Sequence, residues 1–164
     1  TLMITGGKIG SLIGRRRAFA IGCVIYGAGS FVTGAAPNLA LLIIGWSLLE
    51  GMGAALIMPA VVALVAGNFP PPARPKAYGI IAAAAAIAVA AGPLIGGAVT
   101  TYASWRLVFF AEVVVVVVIL ALSRRMAYTP VESTARLDLV GTLLSVLGLG
   151  LFVFGVLRSR DGQT

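Results

Sequence analysis

Apolar residues in this chain fall in long blocks without the polar face that marks a helix or strand lying against water. Between charges, the sequence runs from Ala18 to Ala36, from Leu39 to Phe69 broken only by Glu50, and from Ala77 to Trp105. It continues from Leu107 to Ser123 broken only by Glu112, and from Leu139 to Leu157. A helix needs about 20 residues to cross the hydrocarbon of a bilayer, so the blocks predict five spanning helices. A membrane barrel would need ten-residue segments of alternating character, and a continuous run such as Val113 to Leu122 offers no lumen side. The expected class is all-α, a polytopic transmembrane helical bundle. Thr1 to Gly7 reads as the tail of a preceding apolar span, without the basic start and cleavage site of a signal peptide. Residues 1–123 form one expected unit, 124–138 a polar connector, and 139–164 a further span with a polar tail.

The connectors carry their own signals. Pro37-Asn38 is short enough to make its flanking helices antiparallel neighbours, with Pro ending one helix and Asn tolerating the turn. Asn68 to Pro75 holds four prolines in six positions, which terminates a span and stiffens the link to the next. Within the Ala77 to Trp105 block, Pro93 cannot donate to the carbonyl of Val89, so Gly92-Pro93 with Gly96-Gly97 predicts a bent helix with a close-packing face. Small residues also recur four apart at Gly6, Gly10 and Gly14, at Ser30 and Gly34, at Gly92 and Gly96, and at Gly141 and Ser145. In lipid, small faces of this kind let helices approach closely.

Composition agrees with the pattern: 60% of residues are hydrophobic and 10% charged. The net charge of +7 would suit nucleic acid, but the cations lie in the connectors. Lys8, Arg15, Arg16, Arg17, Arg74, Lys76, Arg124, Arg125 and Arg136 fall on one side, against Arg106, Arg158 and Arg160 on the other. By the positive-inside rule the Arg15–Arg17 and Arg74–Lys76 connectors are cytoplasmic, in a multi-pass protein of the cell membrane, and no nucleic-acid partner is implied. With no histidine and a single cysteine, Cys23, neither a disulfide framework nor a metal or cofactor site is expected. Two acids set apart in different spans supply no enzymatic cluster, so the chain reads as not an enzyme.

The two intramembrane acids are the candidate chemistry. Glu50 lies roughly 15 Å along the helix from Leu39, near the midplane, where an ionised carboxylate is costly and the neutral form is favoured. Such a group can carry a proton, or can simply be a hydrogen-bonded structural acid. Ser47, three residues earlier, is expected on the same helix face. Glu112 follows Arg106 by six residues, roughly 9 Å along its helix, which places it shallower. Tyr102 and Trp105 read as interfacial anchors, with Arg106 at the head groups.

Several stretches resemble the major facilitator superfamily. Gly92-Pro93-Leu94-Ile95-Gly96-Gly97 is similar to the fifth-span signature of its proton-driven exporters. Gly7-Lys8-Ile9-Gly10-Ser11-Leu12-Ile13-Gly14-Arg15-Arg16-Arg17 resembles the loop between spans two and three, with Ser11 where that family carries an aspartate and Leu12 where an arginine usually follows. That loop either latches the cytoplasmic face or, through its arginines, fixes topology and attracts anionic lipid. Leu48 to Pro59 resembles the fourth-span signature: Gly51, Gly53 and Pro59 match, Ser47 stands in place of an arginine, and Glu50 in place of a common glutamine. Ser104-Trp105-Arg106-Leu107-Val108-Phe109 is similar to the stretch that follows the fifth span. Arg136-Leu137-Asp138-Leu139-Val140-Gly141 resembles the start of the extra span that marks fourteen-span drug:proton antiporters.

The resemblance implies the end of span two, spans three to six, and the first linker span of such an antiporter. The implied activity is export of small amphipathic or cationic compounds in exchange for protons by alternating access, and the implied partners are membrane lipids, protons, the substrate and the remainder of the transporter. The alternatives are an importer of a nutrient or metabolite within the same superfamily and a structural or sensory membrane protein. The first test is physical: the polypeptide is expected to stay in solution only with detergent or lipid, and a freely dispersed form in plain buffer would contradict the spanning-helix reading.

Overall fold

The computed structural model describes residues 2–124 and scattered helical positions between Val140 and Arg158. The connector at 124–138 beyond Arg124, the Arg136 to Gly141 motif and most of the 139–157 span lie outside the described residues. Six α-helices follow in order: α1 Leu2–Ile13, α2 Arg15–Ala35, α3 Leu39–Ile43, α4 Gly51–Asn68, α5 Arg74–Tyr102 and α6 Trp105–Ser123. A π-helical segment, Ile44–Glu50, joins α3 to α4, so Leu39–Asn68 is one continuous helix. Four helices among the described residues are long and apolar enough to cross a membrane: Arg15–Ala35, Leu39–Asn68, Pro71–Tyr102 and Trp105–Ser123. These are four of the five spans expected from the apolar blocks.

The expected cytoplasmic loop is almost wholly helical. Helix α1 runs to Ile13 and α2 starts at Arg15, with only Gly14 between them at φ 92°. That backbone region is open to glycine and costly for other residues, so one glycine suffices to redirect the chain. At the other end of α2 the Pro37-Asn38 link forms as expected, but Asn38 acts differently. Its backbone is extended, and its side chain accepts a 3.0 Å hydrogen bond from the Leu41 amide, capping α3.

Helix α2 is the hub, packed against α1, α4, the π segment and α6. Glycines set these contacts. A Cβ built on Gly22 would meet the Gly53 carbonyl at 3.0 Å, and one on Gly53 would meet the Gly22 carbonyl at 2.8 Å. Two turns along, a Cβ on Gly29 would meet the Gly45 carbonyl at 2.8 Å, and one on Gly45 the Gly29 carbonyl at 2.9 Å. The two backbones therefore touch reciprocally at two points, a spacing only hydrogen side chains permit. On α2 the pair is separated by seven residues, two near-complete turns, but on the facing helix by eight. In an uninterrupted α-helix, eight residues would rotate Gly45 about 80° away from the face that bears Gly53. The wider π segment between them absorbs the extra residue and returns both glycines to one face.

A second glycine pair on α2, Gly27 and Gly34, also seven apart, receives α6: Val116 lies 3.0 Å from a Cβ on Gly27, and Phe109 and Phe110 lie 3.3 Å from one on Gly34. The two faces of α2 differ by five residues, or about 140° around the helix, so α2 is wedged between its neighbours. Phe19, Cys23, Ala60, Leu64 and Val116 form the apolar core of this wedge.

Pro59 explains the third contact of the hub region. Lacking an N–H, it leaves the Ala55 carbonyl without its helical donor, and that carbonyl abuts Gly6 of α1 where any Cβ would overlap it. Helix α5 is different. No residue of α5 is buried against the described residues, and nothing described lies within 4 Å of a Cβ on Gly92, Gly96 or Gly97. Pro93 sits within a continuous helix, while the close-packing face expected from these glycines has no partner among the described residues.

Glycine contacts of backbone against backbone predict a sharp contrast in stability. Gly53→Ala is expected to destabilise the detergent-solubilised chain by about 1–3 kcal/mol through overpacking. Gly97→Ala, inside a helix with open space around the new methyl, is expected to raise stability by up to about 1 kcal/mol. Thermal unfolding followed by circular dichroism checks both.

Candidate functional site

The two acids expected to stand apart meet at α2. Glu50 is 5% exposed, and its Cγ lies 2.8 Å from where a Cβ on Gly29 would sit, so the missing side chain at 29 makes room for it. The hydroxyls of Ser30, Thr33 and Tyr26 face its carboxyl, and Glu112 is near enough to interact with it electrostatically. From α6, Glu112 accepts a 3.0 Å hydrogen bond from the Ser30 hydroxyl through Oε2. Ser30 itself is fully buried.

Helix geometry explains the convergence. Ser30 lies about 80° around α2 from Gly22, between the face that receives the π segment and the face that receives α6. A side chain there points between these two neighbouring helices. Glu50 and Glu112 consequently share a level, near 10 Å from the start of α6 by helical rise. Counting residues along each helix puts the two acids at different depths, but both meet α2 at the adjacent residues Gly29 and Ser30.

The carboxyls differ in their surroundings. Glu50 Oε1 is buried and has no hydrogen-bond partner among the described residues. Glu112 is half-buried and lines a cavity of about 660 Å³ between α5 and α6, whose wall includes Tyr26, Ile95, Val99, Leu107 and Ile119. One acid is thus enclosed, and the other opens onto an apolar space. A buried oxygen without a partner carries a desolvation cost that a bound proton relieves, so the pair is chemically suited to holding and releasing one.

Ser47 does not join this site. It is exposed while Glu50 is buried, because the i→i+5 turn between them advances less per residue than an α turn and takes positions three apart off a common face. Of the other fourth-span positions, Gly53 packs on Gly22, Pro59 frees the Ala55 carbonyl, and Gly51 has open space around it.

The Gly7 to Arg17 motif meets Pro59 instead. Gly7, Gly10, Ser11 and Arg15 line a small cavity of about 180 Å³ with Pro59 and Ala63. Arg15 donates to the Ala63 carbonyl at 3.2 Å, and Arg16 donates to the Arg124 carbonyl at 2.7 Å, at the end of α6. Both guanidiniums therefore bind backbone near the C-terminal ends of α4 and α6, where carbonyl partial charge favours a cation. Gly14 supplies the break that aims them.

Arg106, expected at the head groups, has defined partners at the end of α2. Its guanidinium donates to the carbonyls of Gly34 at 3.2 Å and Ala36 at 2.9 Å, closing the end of α2, and stacks 4.7 Å above the Trp105 ring. Ser104 caps α6 by accepting from the Arg106 amide, and Trp105 stacks edge-on against Phe109 at 5.9 Å. The Ser-Trp-Arg-x-x-Phe spacing is therefore a helix cap, a one-turn aromatic pair and a tie to α2. Tyr102, 89% exposed, stays free to face lipid.

The sequence profile of the Major Facilitator Superfamily matches residues 1–160. The chain belongs to this superfamily. Its relatives include the puromycin resistance protein pur8 of Streptomyces alboniger, 35% identical over 163 residues, which covers 98% of this chain and 32% of that protein. The lincomycin resistance protein of Streptomyces lincolnensis is 34% identical over 160 residues, covering 94% of this chain and 32% of the relative. The cephamycin export protein CmcT of Amycolatopsis lactamdurans is 32% identical over 164 residues, covering 98% and 34%. The chain spans about a third of the length of these curated relatives. As a superfamily member with four apolar helices of spanning length, it is an integral membrane protein.

The tie between α2 and α6 yields a direct test. Arg106→Gln removes the charged donor from two carbonyls and is expected to cost about 1–2 kcal/mol of stability, measured by thermal unfolding in detergent.

Proposed function

We propose that this chain forms part of a secondary transporter that exports small amphipathic or cationic molecules in exchange for protons. The observation that carries the reading is the meeting of Glu50 and Glu112 at Ser30 inside otherwise apolar helices. Intramembrane acids are rare and mark proton or substrate pathways, and here no arginine or lysine takes part in the hydrogen bonds among them within the described residues. The relatives named for puromycin resistance, lincomycin resistance and cephamycin export support outward transport of drug-like small molecules.

In this reading the pair takes up a proton on one side of the membrane and releases it on the other as helical bundles rock about a central site. The cavity beside Glu112 offers an apolar wall with one acidic group, a match for a molecule with a hydrophobic body and a cationic end. The Arg15–Arg17 and Arg74–Lys76 connectors stand on the cytoplasmic side. Helix α5, with its unpartnered Gly92, Pro93, Gly96 and Gly97, turns toward the remainder of the transporter, and the resemblance of the Arg136 to Gly141 sequence to the start of an extra span supports a fourteen-span antiporter.

Glu50→Gln in the full-length protein is expected to abolish export driven by a pH gradient, while the variant still inserts and folds. Uptake into inverted membrane vesicles under an imposed pH gradient measures this. Unaltered coupling in the variant would remove Glu50 from the pathway.

A further inference from the structure

The cavity between α5 and α6 carries very little polar chemistry. Of the side chains that line it, only Tyr26 and Glu112 are polar, and the rest, from Ile95 and Val99 on α5 to Val115 and Ile119 on α6, are aliphatic. Glu50 is enclosed and does not line this space. Neither does any lysine or arginine. Arg106, six residues before Glu112 on the same helix, is engaged with the carbonyls of Gly34 and Ala36.

Glu112 is tethered by one oxygen. Its Oε2 lies 3.0 Å from the Ser30 hydroxyl, and Oε1 makes no hydrogen bond among the described residues. Ser30 is fully buried and stands outside the cavity wall. Its side chain is fixed by a 3.2 Å contact with the Tyr26 carbonyl one turn back. A serine hydroxyl has one proton to give, and an ionised carboxylate, which can only accept, draws that proton more strongly than a neutral carbonyl does.

We propose that Ser30 is a positioning residue that makes the α5–α6 cavity selective for organic cations, by holding Glu112 as a carboxylate with its second oxygen turned to the ligand. The proposal rests on the export reading for the ligand's route and names the group that sets its charge. A carboxylate set in an apolar wall is costly unless its charge is satisfied. Donation from Ser30 stabilises the charge at Oε2. Oε1 then lacks a partner in an apolar space, which a cationic ligand supplies and a neutral one does not. Tyr26 adds an aromatic ring to the same wall, which suits a cation that has no N–H to donate, so quaternary ammonium and phosphonium centres fall within the class. Thr33, the next hydroxyl along α2, donates to the Gly29 carbonyl at 2.8 Å and is no substitute for Ser30.

Tetraphenylphosphonium and triphenylphosphine oxide share an aromatic body and differ in charge, so the two probes separate charge recognition from packing. Their binding to full-length protein in detergent is measured by equilibrium dialysis. Ser30→Ala is expected to weaken tetraphenylphosphonium about 10-fold, the scale of one hydrogen bond to a charged group, and to leave the oxide within about twofold. Glu112→Gln is expected to weaken the cation at least as much. Adding Ser30→Ala to Glu112→Gln is expected to change nothing further, because the serine acts through the acid. If Ser30→Ala does not fold by circular dichroism, Ser30→Cys, a weaker donor of similar size, gives the same comparison. A loss of less than about threefold for the cation, an equal loss for the oxide, or a full serine effect in the Glu112→Gln background overturns the proposal. Ser30-dependent cation binding in a protein that does not export under a pH gradient sinks the exchange reading alone. Gradient-driven export with cation binding indifferent to Ser30 sinks the positioning role alone.

Discussion

Backbone-to-backbone contact at glycine is the constraint on which this structure depends. Lipid tails are as apolar as leucine, so burial of apolar surface gives helices little reason to prefer each other. Close approach restores that preference through many short dispersion contacts, and it requires that side chains be absent where axes cross. Helix α2 meets this requirement twice, with Gly22 and Gly29 toward the Leu39–Asn68 helix and Gly27 and Gly34 toward α6. The helices that lack such contacts sit differently: α5, rich in glycine and alanine, meets nothing described at Gly92, Gly96 or Gly97.

The acidic site is a by-product of the same crossing. Where two helices are held this close to α2, a polar residue between them is fully buried and must find a polar partner there. Ser30 is that residue, and Gly29 beside it leaves the volume that Glu50 fills. The π segment links the two levels of description. It reconciles an eight-residue spacing with a seven-residue one so that the glycines stay in register, and in doing so it ends at Glu50 and turns that side chain inward. Ser47, on the far side of the same segment, is turned outward.

The ends of the helices are secured by charge. Arg15 and Arg16 hold carbonyls of α4 and of Arg124 on one side, and Arg106 holds carbonyls of Gly34 and Ala36 on the other. The Gly34, Ala36 and Arg124 carbonyls stand at helix ends without helical donors, and a guanidinium satisfies them as neither lipid nor an apolar side chain could. Basic residues of the connectors therefore also fasten the helices. Topology and fastening draw on the same charges because helix ends and head groups occupy the same depth.

The sequence by itself determined the class, the four spans seen among the described residues, the connectors at Pro37-Asn38 and Asn68 to Pro75, and the superfamily. Uncharged length leaves only helices able to satisfy their own backbone in lipid, and that logic needs no tertiary information. It also singled out Glu50 and Glu112, because a charge is conspicuous in an apolar block. The heptad spacing of Gly22 with Gly29 and of Gly27 with Gly34 was present as a signal, although a search for small residues four apart passes over it. Only the tertiary structure decided that both acids pack on α2 at Gly29 and Ser30, that Ser30 binds Glu112, that Ser47 faces away, and that Arg106 caps α2. Each of these depends on how two helices are rotated about their axes. In a uniformly apolar span the sequence carries no polar face to fix that rotation, so it was set by where backbones could touch.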